Sequence, residues 1–281
     1  MTLTHHTAPN QFVEGANGTR YAYRRFGKSG GVPLVCLQHF RGDLDSWDPG
    51  LTDTIAGERE VILVDNTGVA LTSGRTPSTV EEMSRDIVTF CEALALEEVD
   101  AMGFSLGGFV AQELALIRPH LVRRLVLAGT GPQGGPNMHG WRKDIADAAR
   151  KPDIGGPEFL YIFFKQTETS QAQGRAFLDR FLARQDDRDV LTTLQCRDAQ
   201  YDAVCAWGAD DHSKLQRLRS ITQPTFCAQG DDDLMIPPPL THLIAGLIPN
   251  AQIKIYPDAG HGFLWQHHAE FGADVNRFLA A

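Results

Sequence analysis

One serine in this chain has the neighbours that nucleophilic catalysis requires. Ser105 stands in the segment Gly-Phe-Ser-Leu-Gly, which fits the pattern G-x-S-x-G. An apolar run at residues 99–104 predicts a strand before it, and helical periodicity at residues 106–117 predicts a helix after it. A serine on such a tight strand-to-helix turn is presented to a substrate, and the start of the helix favours negative charge beside it. We therefore take Ser105 as the candidate nucleophile.

A serine hydroxyl is a poor nucleophile at neutral pH and needs a base that a third group orients. Among the histidines near the end of the chain, His261 lies between two glycines just after a predicted strand at residues 253–256. A flexible loop there can carry an imidazole over the end of a sheet. The adjacent pair His267 and His268 suggests a metal site, but we interpret both as surface residues. His261 is the candidate base.

The third group must be an acid, and one loop offers three. Asp231, Asp232 and Asp233 follow a predicted strand at residues 224–229. Each could orient a histidine from that position, and the residue types alone leave the choice open. The loop nevertheless places a carboxylate between the nucleophile and the base in chain order, at the end of a strand.

Strand and helix patterns alternate through the first half of the chain. Strands are predicted at residues 19–26, 33–38, 61–65, 99–104 and 125–128, and helices at residues 78–96 and 106–117. The alternation predicts parallel strands with right-handed crossovers, and so an α/β sheet covered by helices on both faces. The polar–apolar alternation of residues 19–26 indicates an antiparallel strand.

The alternation stops at a linker rich in glycine and proline, at residues 131–136. Charged helical segments with large aromatic residues follow, and strands return only near residue 224, before a final helix at residues 270–279. We expect a discontinuous core formed by residues 1–131 and 222–281, with a helical cap at residues 132–221.

The three motifs, in the order serine, acid, histidine, resemble the α/β-hydrolase superfamily over about residues 19–130 and 222–281. The resemblance implies a mostly parallel sheet with helices on both faces and a helical cap insertion. It also implies that Asp233 is the acid, since the loop Gly-Asp-Asp-Asp-Leu-Met-Ile-Pro is similar to the family's acid loop. Ser105, Asp233 and His261 would then form the catalytic triad.

The resemblance further implies that two backbone N–H groups stabilise an oxyanion. One belongs to Leu106, the residue after the nucleophile. The other belongs to the loop after the predicted strand at residues 33–38, where the family usually has His-Gly and this chain has His-Phe-Arg-Gly. Because the glycine is displaced, we expect Phe40 to be the second donor, with Arg41 as the alternative.

The segment at residues 37–49 is similar to a bacterial subgroup of small esterases, and the whole chain resembles serine-dependent macrolide esterases, which inactivate antibiotics by opening the lactone. The expected reaction is hydrolysis of a small-molecule ester or lactone through an acyl-enzyme, with no metal and no cofactor. The residues expected to contact the substrate are Arg41, Trp141, Phe163, Phe164 and Trp207, although the aromatic residues could equally form the core of the cap.

Other functions share these residues. A carbon–carbon bond hydrolase or a perhydrolase would use the same triad. A small-molecule receptor built on the same fold is the alternative from another class, and an intact triad counts against it. The sequence contains nothing that indicates the oligomeric state.

Composition excludes several classes of protein. The chain has 281 residues, 26 Lys and Arg against 35 Asp and Glu, and a net charge of −9, so binding along a nucleic acid is not expected. Its apolar runs are too short to span a membrane, and residues 1–10 contain no apolar signal segment. The 5 cysteines are widely spaced, which favours reduced thiols in a cytoplasm.

Overall fold

Eight strands form one sheet in the computed structural model, which describes residues 3–281. The strands are β1 (Gln11–Glu14), β2 (Arg20–Gly27), β3 (Leu34–Leu37), β4 (Glu60–Val64), β5 (Val99–Phe104), β6 (Val122–Ala128), β7 (Thr225–Gly230) and β8 (Ala251–Tyr256). Their order across the sheet is β1-β2-β4-β3-β5-β6-β7-β8. Strands β1 and β2 are antiparallel to their neighbours, and the other pairs are parallel. The predicted α/β fold with a mostly parallel sheet is confirmed.

The helices connect the parallel strands. They are α1 (Pro49–Ala56), α2 (Val80–Ala93), α3 (Leu106–Ile117), α4 (Lys143–Ala149), α5 (Gly156–Phe163), α6 (Glu168–Phe181), α7 (Leu194–Trp207), α8 (Pro238–Leu247), α9 (Phe263–Gln266) and α10 (His268–Ala280), with 3-10 helices at Leu44–Ser46 and Lys214–Ser220. Helix α1 packs on α10, and α2 packs on α3. None of the helices within residues 3–281 is long and apolar enough to cross a membrane.

The central strands are buried on both faces, which explains their continuous apolar sequences. Every residue of β3, β5 and β7 is buried. The strand predicted at residues 125–128 begins earlier, at Val122, because two arginines hide its pattern. One of them, Arg123, pairs with the buried Asp100 at 2.6 Å. The sequence prediction also lacked β1, α1, α8 and α9.

Helices α4 to α7 occupy the stretch between β6 and β7, and we call residues 132–221 the cap segment. Arginines attach it to the rest of the molecule. Arg180 of α6 donates to both carboxylate oxygens of Asp48, at 2.9 and 2.6 Å. The buried Arg184 donates to the backbone carbonyls of His5, His6 and Ala8. The cap segment is therefore held against the rest of the protein by hydrogen bonds to a buried carboxylate and to backbone carbonyls.

Candidate active site

A sharp turn between β5 and α3 presents Ser105. Its backbone angles are φ +56° and ψ −118°, a conformation that a residue with a side chain rarely adopts. A Cβ atom at Gly103 would collide with the carbonyl of Gly107, and one at Gly107 would collide with the carbonyl of Leu37. Only glycine fits at these two positions, so the motif's spacing follows from the packing of the helix start against the sheet.

Asp233 and His261 form a buried pair at the ends of β7 and β8. Oδ2 of Asp233 lies 2.5 Å from Nδ1 of His261, and both side chains are 0% exposed. The backbone N–H groups of Met235 and Ile236 donate to Oδ1, at 2.8 and 2.9 Å, and the Gln229 amide donates to Oδ2 at 2.7 Å. Because the Asp233 carboxylate accepts a hydrogen bond from Nδ1, a neutral imidazole carries its proton on Nδ1, and Nε2 keeps its lone pair.

The second ring nitrogen of His261 is left free, and the residue lines the same cavity as Ser105. Nε2 is buried and has no hydrogen-bond partner among the described residues, Ser105 included. Both residues line one cavity. A general base without a bound substrate often lacks its final hydrogen bond to the nucleophile, which tightens as the substrate binds. The arrangement can remove a proton from the serine hydroxyl.

The other two acids of the loop lie apart from His261. Asp231 accepts hydrogen bonds from the backbone N–H groups of Asp258 and Ala259, at 2.9 and 3.1 Å, so it shapes the loop that carries the histidine. The carboxylate of Asp232 is 49% exposed and lies 3.9 Å from the Lys165 ammonium group. The geometry favours Asp233 among the three acids that the residue types left open.

Gln229 is a part of this site that the sequence analysis missed. Its amide nitrogen bridges Asp233 and the backbone carbonyl of Ile236, at 2.7 Å to each. Its amide oxygen accepts from the Thr241 hydroxyl at 3.0 Å. A glutamine at the end of an otherwise apolar, fully buried strand was the available signal, because a buried amide needs partners.

Two backbone N–H groups are available for an oxyanion. The N–H of Leu106 opens α3, where a helix has no internal acceptor, and the N–H of Phe40 lies in the loop after β3. Neither donates a hydrogen bond to any residue within 3–281. The N–H of Arg41 instead donates to Oε1 of Gln200 at 2.7 Å. Of the two alternatives for the second donor, the geometry favours Phe40.

His39 is a neutral support of this loop. Burial lowers the pKa of His39 to about 3, against a smaller opposing effect of its hydrogen bond with the Phe40 carbonyl. A neutral imidazole must donate from Nδ1 to that carbonyl, at 2.9 Å. The ring also packs edge-on against Phe104, Phe163 and Trp265. His39 therefore holds the Phe40 peptide in place and does not exchange protons near neutral pH.

The cavity has a volume of about 680 Å³, within the range of small-molecule sites. The catalytic end contains the candidate triad residues Ser105 and His261. Apolar side chains form most of the remaining wall, among them Phe159, Ile162, Phe163, Phe181 and Met235. Asp43, Arg188 and Asp189 add charged groups to the lining. Of the apolar side chains of this wall, the sequence analysis had named only Phe163 as a substrate contact.

The substrate-contact predictions divide between cavity and core. Arg41 and Phe163 line the cavity, whereas Trp141, Phe164 and Trp207 are not part of its lining. The ring of Trp207 stacks on α3, and those of Trp141 and Phe164 pack on other aromatic rings. An aromatic residue on a cap helix can serve either the cavity or the internal packing, and its type does not distinguish the two.

The adjacent histidines do not form a metal site. Nε2 of His267 lies 3.0 Å from the Pro257 carbonyl, and Nδ1 of His268 lies 3.2 Å from the Trp265 carbonyl. No group of three or more His, Cys, Asp or Glu side chains is placed to hold a metal ion in the described part of the chain.

A serine on a strand-to-helix turn, with an aspartate–histidine pair at the ends of two later parallel strands, is the arrangement typical of hydrolases built on an α/β sheet. The sequence profile of the alpha/beta hydrolase fold family matches residues 32–268, and the chain belongs to that family.

Known proteins of this family are similar to the chain over most of its length. An alpha/beta hydrolase fold protein from Chitinophaga pinensis has 39% identity and a TM-score of 0.94, over 99% of this chain and 100% of that one. A 2-hydroxy-6-oxononadienedioate/2-hydroxy-6-oxononatrienedioate hydrolase from Cupriavidus pinatubonensis is 32% identical over 67% of this chain, and the match spans 64% of that relative. A putative carbamate hydrolase RutD from Azorhizobium caulinodans is 26% identical over 83% of this chain and 85% of its own length. These relatives support a hydrolase, and the two that are named for a substrate are named for different ones.

Proposed function

We propose that the protein is a serine hydrolase that cleaves carboxylic esters through an acyl-enzyme. The observation that carries the proposal is the buried Asp233–His261 hydrogen bond, which leaves Nε2 of His261 without a partner in a residue that lines the same cavity as Ser105. In this proposal Ser105 is the nucleophile, His261 is the general base and acid, and Asp233 orients the imidazole and stabilises its charged form.

In the acylation step, Oγ of Ser105 attacks the carbonyl carbon of the ester, and its proton passes to Nε2 of His261. The carbonyl oxygen becomes an oxyanion, and the N–H groups of Phe40 and Leu106 donate to it. The tetrahedral intermediate then collapses, and the proton on Nε2 passes to the departing alkoxide.

In the deacylation step, a water molecule attacks the ester carbonyl of the acyl-enzyme. His261 takes the proton of the water and later returns a proton to Ser105 as the carboxylic acid leaves. The net reaction adds one water to the ester. When the ester is cyclic, the ring opens and both products remain in one molecule.

We propose a cyclic ester, such as a macrolide lactone, as the substrate class. The cavity volume of about 680 Å³ and its largely apolar wall suit a bulky, mostly apolar substrate. The net charge of −9 favours a cationic over an anionic ligand, and Asp43 and Asp189 add local negative charge. The five unpaired cysteines favour a cytoplasmic location.

Carbon–carbon bond hydrolysis, which would use the same triad, is the second candidate, and the Cupriavidus relative is named a hydrolase of a substrate that is not an ester. The name of its substrate describes a dicarboxylate, which would need cationic partners. Arg188 in the cavity wall lies 3.8 Å from the buried Asp45 carboxylate, and Arg41 donates to backbone carbonyls. Because Arg41 is held by those carbonyls, Arg188 alone among the described cations of the cavity lining is left to face two carboxylates, so ester cleavage is the better fit.

The experiment compares the wild type with Ser105→Ala on a short p-nitrophenyl ester, a 16-membered macrolide and a 2-hydroxy-6-oxo dienoate. A fluorophosphonate probe and mass spectrometry follow the serine and the products. We expect labelling of Ser105 and a macrolide gain of one water, both absent in the variant. Turnover of the simple ester alone would support the esterase and reject the macrolide. Absence of both labelling and turnover would reject the proposal in favour of a receptor.

A further inference from the structure

We propose that Arg41 is a positioning residue through which the cap segment controls the oxyanion site. The inference rests on the proposed function, since it concerns how the Phe40 N–H is oriented. Arg41 follows Phe40 directly, and it is anchored at its backbone N–H, its backbone carbonyl and its side chain by partners from the cap segment.

The backbone of Arg41 adopts a conformation that it would not choose by itself. Its φ angle is +63°, in the left-handed region that disfavours residues with a Cβ atom. The N–H donates to Oε1 of Gln200 at 2.7 Å, and the carbonyl accepts from the Thr192 hydroxyl at 2.9 Å. Both partners belong to the cap segment, and Gln200 is fully buried. A conformation of this kind persists where surrounding contacts impose it.

The guanidinium of Arg41 binds the same segment at a third place. Nη1 donates to the carbonyl of Lys151 at 2.6 Å, and Nη2 donates to the carbonyl of Pro152 at 2.9 Å. A longer bond of 3.4 Å joins Nη1 to the carbonyl of Ala149, the last residue of α4. A guanidinium presents its donors in a rigid fork, so these carbonyls fix its direction. Its donors are committed to the protein, which argues against a role in holding an anionic substrate.

Phe40 lies between a peptide group that the loop holds and one that the cap segment holds. Within the loop, the Gly42 N–H donates to the His39 carbonyl at 3.0 Å, and His39 holds the Phe40 carbonyl. The ring of Phe40 packs on Trp141, another cap residue, with centroids 4.9 Å apart. The His39 carbonyl shares its peptide group with the Phe40 N–H, so the loop holds one side of Phe40. The cap segment holds the other side through the Arg41 N–H and the Phe40 ring.

The decisive variants remove the anchors and leave Phe40 and Arg41 unchanged. Thr192→Val deletes the hydroxyl that binds the Arg41 carbonyl, and Gln200→Leu deletes the acceptor of its N–H. Arg41→Gly keeps the left-handed backbone and removes the guanidinium, and Arg41→Lys keeps the charge without the fork. Arg197→Gln is the matched control, because Arg197 donates to Asp198 and to the Arg150 carbonyl within the cap segment and makes no hydrogen bond to the described residues of the loop.

The readouts are kcat and KM on the p-nitrophenyl ester and the Kd of a trifluoromethyl ketone. Oγ of Ser105 adds to the carbonyl carbon of the ketone, and the serine proton passes to His261. The ketone oxygen becomes an oxyanion that occupies the proposed site. We expect Thr192→Val and Gln200→Leu to lower kcat about 10- to 100-fold with KM within about 3-fold, because small misplacements of catalytic groups are costly. Ketone affinity should fall by the same factor as kcat, and Arg197→Gln should match the wild type.

The two failures are distinguishable. If the wild type shows neither fluorophosphonate labelling nor turnover, the proposed function fails. If the wild type is active and both anchor variants keep wild-type kcat and ketone affinity, the role of Arg41 is rejected. If Arg41→Gly is less active than Arg41→Lys while both variants melt at the same temperature, the result supports the role of the guanidinium. If both variants bind the ketone as tightly as the wild type does, the result contradicts that role. The Thr192 and Gln200 variants decide the question without relying on the folding of the Arg41 variants.

Discussion

Nδ1 of His261 and Oδ2 of Asp233 are 2.5 Å apart and wholly shielded from solvent. We predict that Asp233→Asn lowers kcat by about 10²- to 10⁴-fold, because an asparagine amide that donates to Nδ1 would select the tautomer with its proton on Nε2. KM for a short p-nitrophenyl ester should change little. Steady-state kinetics at pH 7 measure the effect.

Asp232→Asn is the control for that variant. Its carboxylate is half exposed and lies at the outer side of the same loop, 3.9 Å from Lys165. The substitution removes a charge at the neighbouring position and should leave kcat within about 2-fold of the wild type, as expected for an exposed ion pair. A large loss in Asp232→Asn with a small loss in Asp233→Asn would contradict the proposed role of Asp233.

Two glycine-to-alanine substitutions should have opposite effects on stability. In Gly107→Ala the new methyl group meets the Leu37 carbonyl, so we expect a loss of at least about 1–3 kcal/mol in the free energy of unfolding and of most activity. Gly246 lies inside α8 with nothing within 4 Å of its Cβ position, so Gly246→Ala should gain about 0.5–1 kcal/mol. Denaturant titration measures both changes. Equal stability of the two variants would contradict the close approach of position 107 to the Leu37 carbonyl.

The stability lost when the Arg180–Asp48 ion pair is broken should depend on whether the buried Asp48 charge remains. Arg180→Met leaves the fully buried Asp48 carboxylate without its bidentate partner, and we expect a loss of about 3–5 kcal/mol. Adding Asp48→Asn removes the buried charge, and an asparagine can still accept from the Gly50 N–H that caps α1. The double variant should therefore be more stable than Arg180→Met alone. Additive losses in a double-mutant cycle would show that the two residues act independently.

Stability should depend on pH through Asp43. Burial, followed by the nearby Asp189 charge, raises the pKa of Asp43 to about 6, whereas an unfolded chain titrates it near about 3.9. The folded state binds this proton more tightly, so its contribution is present below about pH 3.9 and is lost as the pH rises through about 6. Asp43→Asn should gain on the wild type between pH 4 and pH 7, by up to about 3 kcal/mol.

Thermal unfolding at both pH values measures this gain. Asp186→Asn is the control, because Asp186 is an exposed aspartate of the cap segment and its substitution should change the stability by less than about 0.5 kcal/mol. A stability difference between Asp43→Asn and the wild type that does not change with pH would show that the Asp43 proton is not retained on folding.

Much of the fold could be predicted because its signals are local. Alternating strand and helix patterns, with a glycine–proline linker at residues 131–136, are properties of neighbouring residues. The strand at Val122–Ala128 was placed too short because Arg123 satisfies a buried aspartate on the next strand, and such a pair is formed only in the sheet. Pairing across strands is information that a local pattern does not contain.

By itself, the sequence determined that Ser105 lies on a strand-to-helix turn and that His261 lies in a loop able to reach it, because glycines and apolar runs beside each residue define those turns. Which of the three neighbouring aspartates meets His261, which N–H of the loop after β3 has a partner and which aromatic residues line the cavity were decided by the tertiary structure. Each depends on contacts between distant segments, such as the bond between Arg41 and Gln200, 159 residues apart. Residue type and spacing along the chain do not specify which partners meet across the cavity, since packing of the cap segment on the sheet selects them.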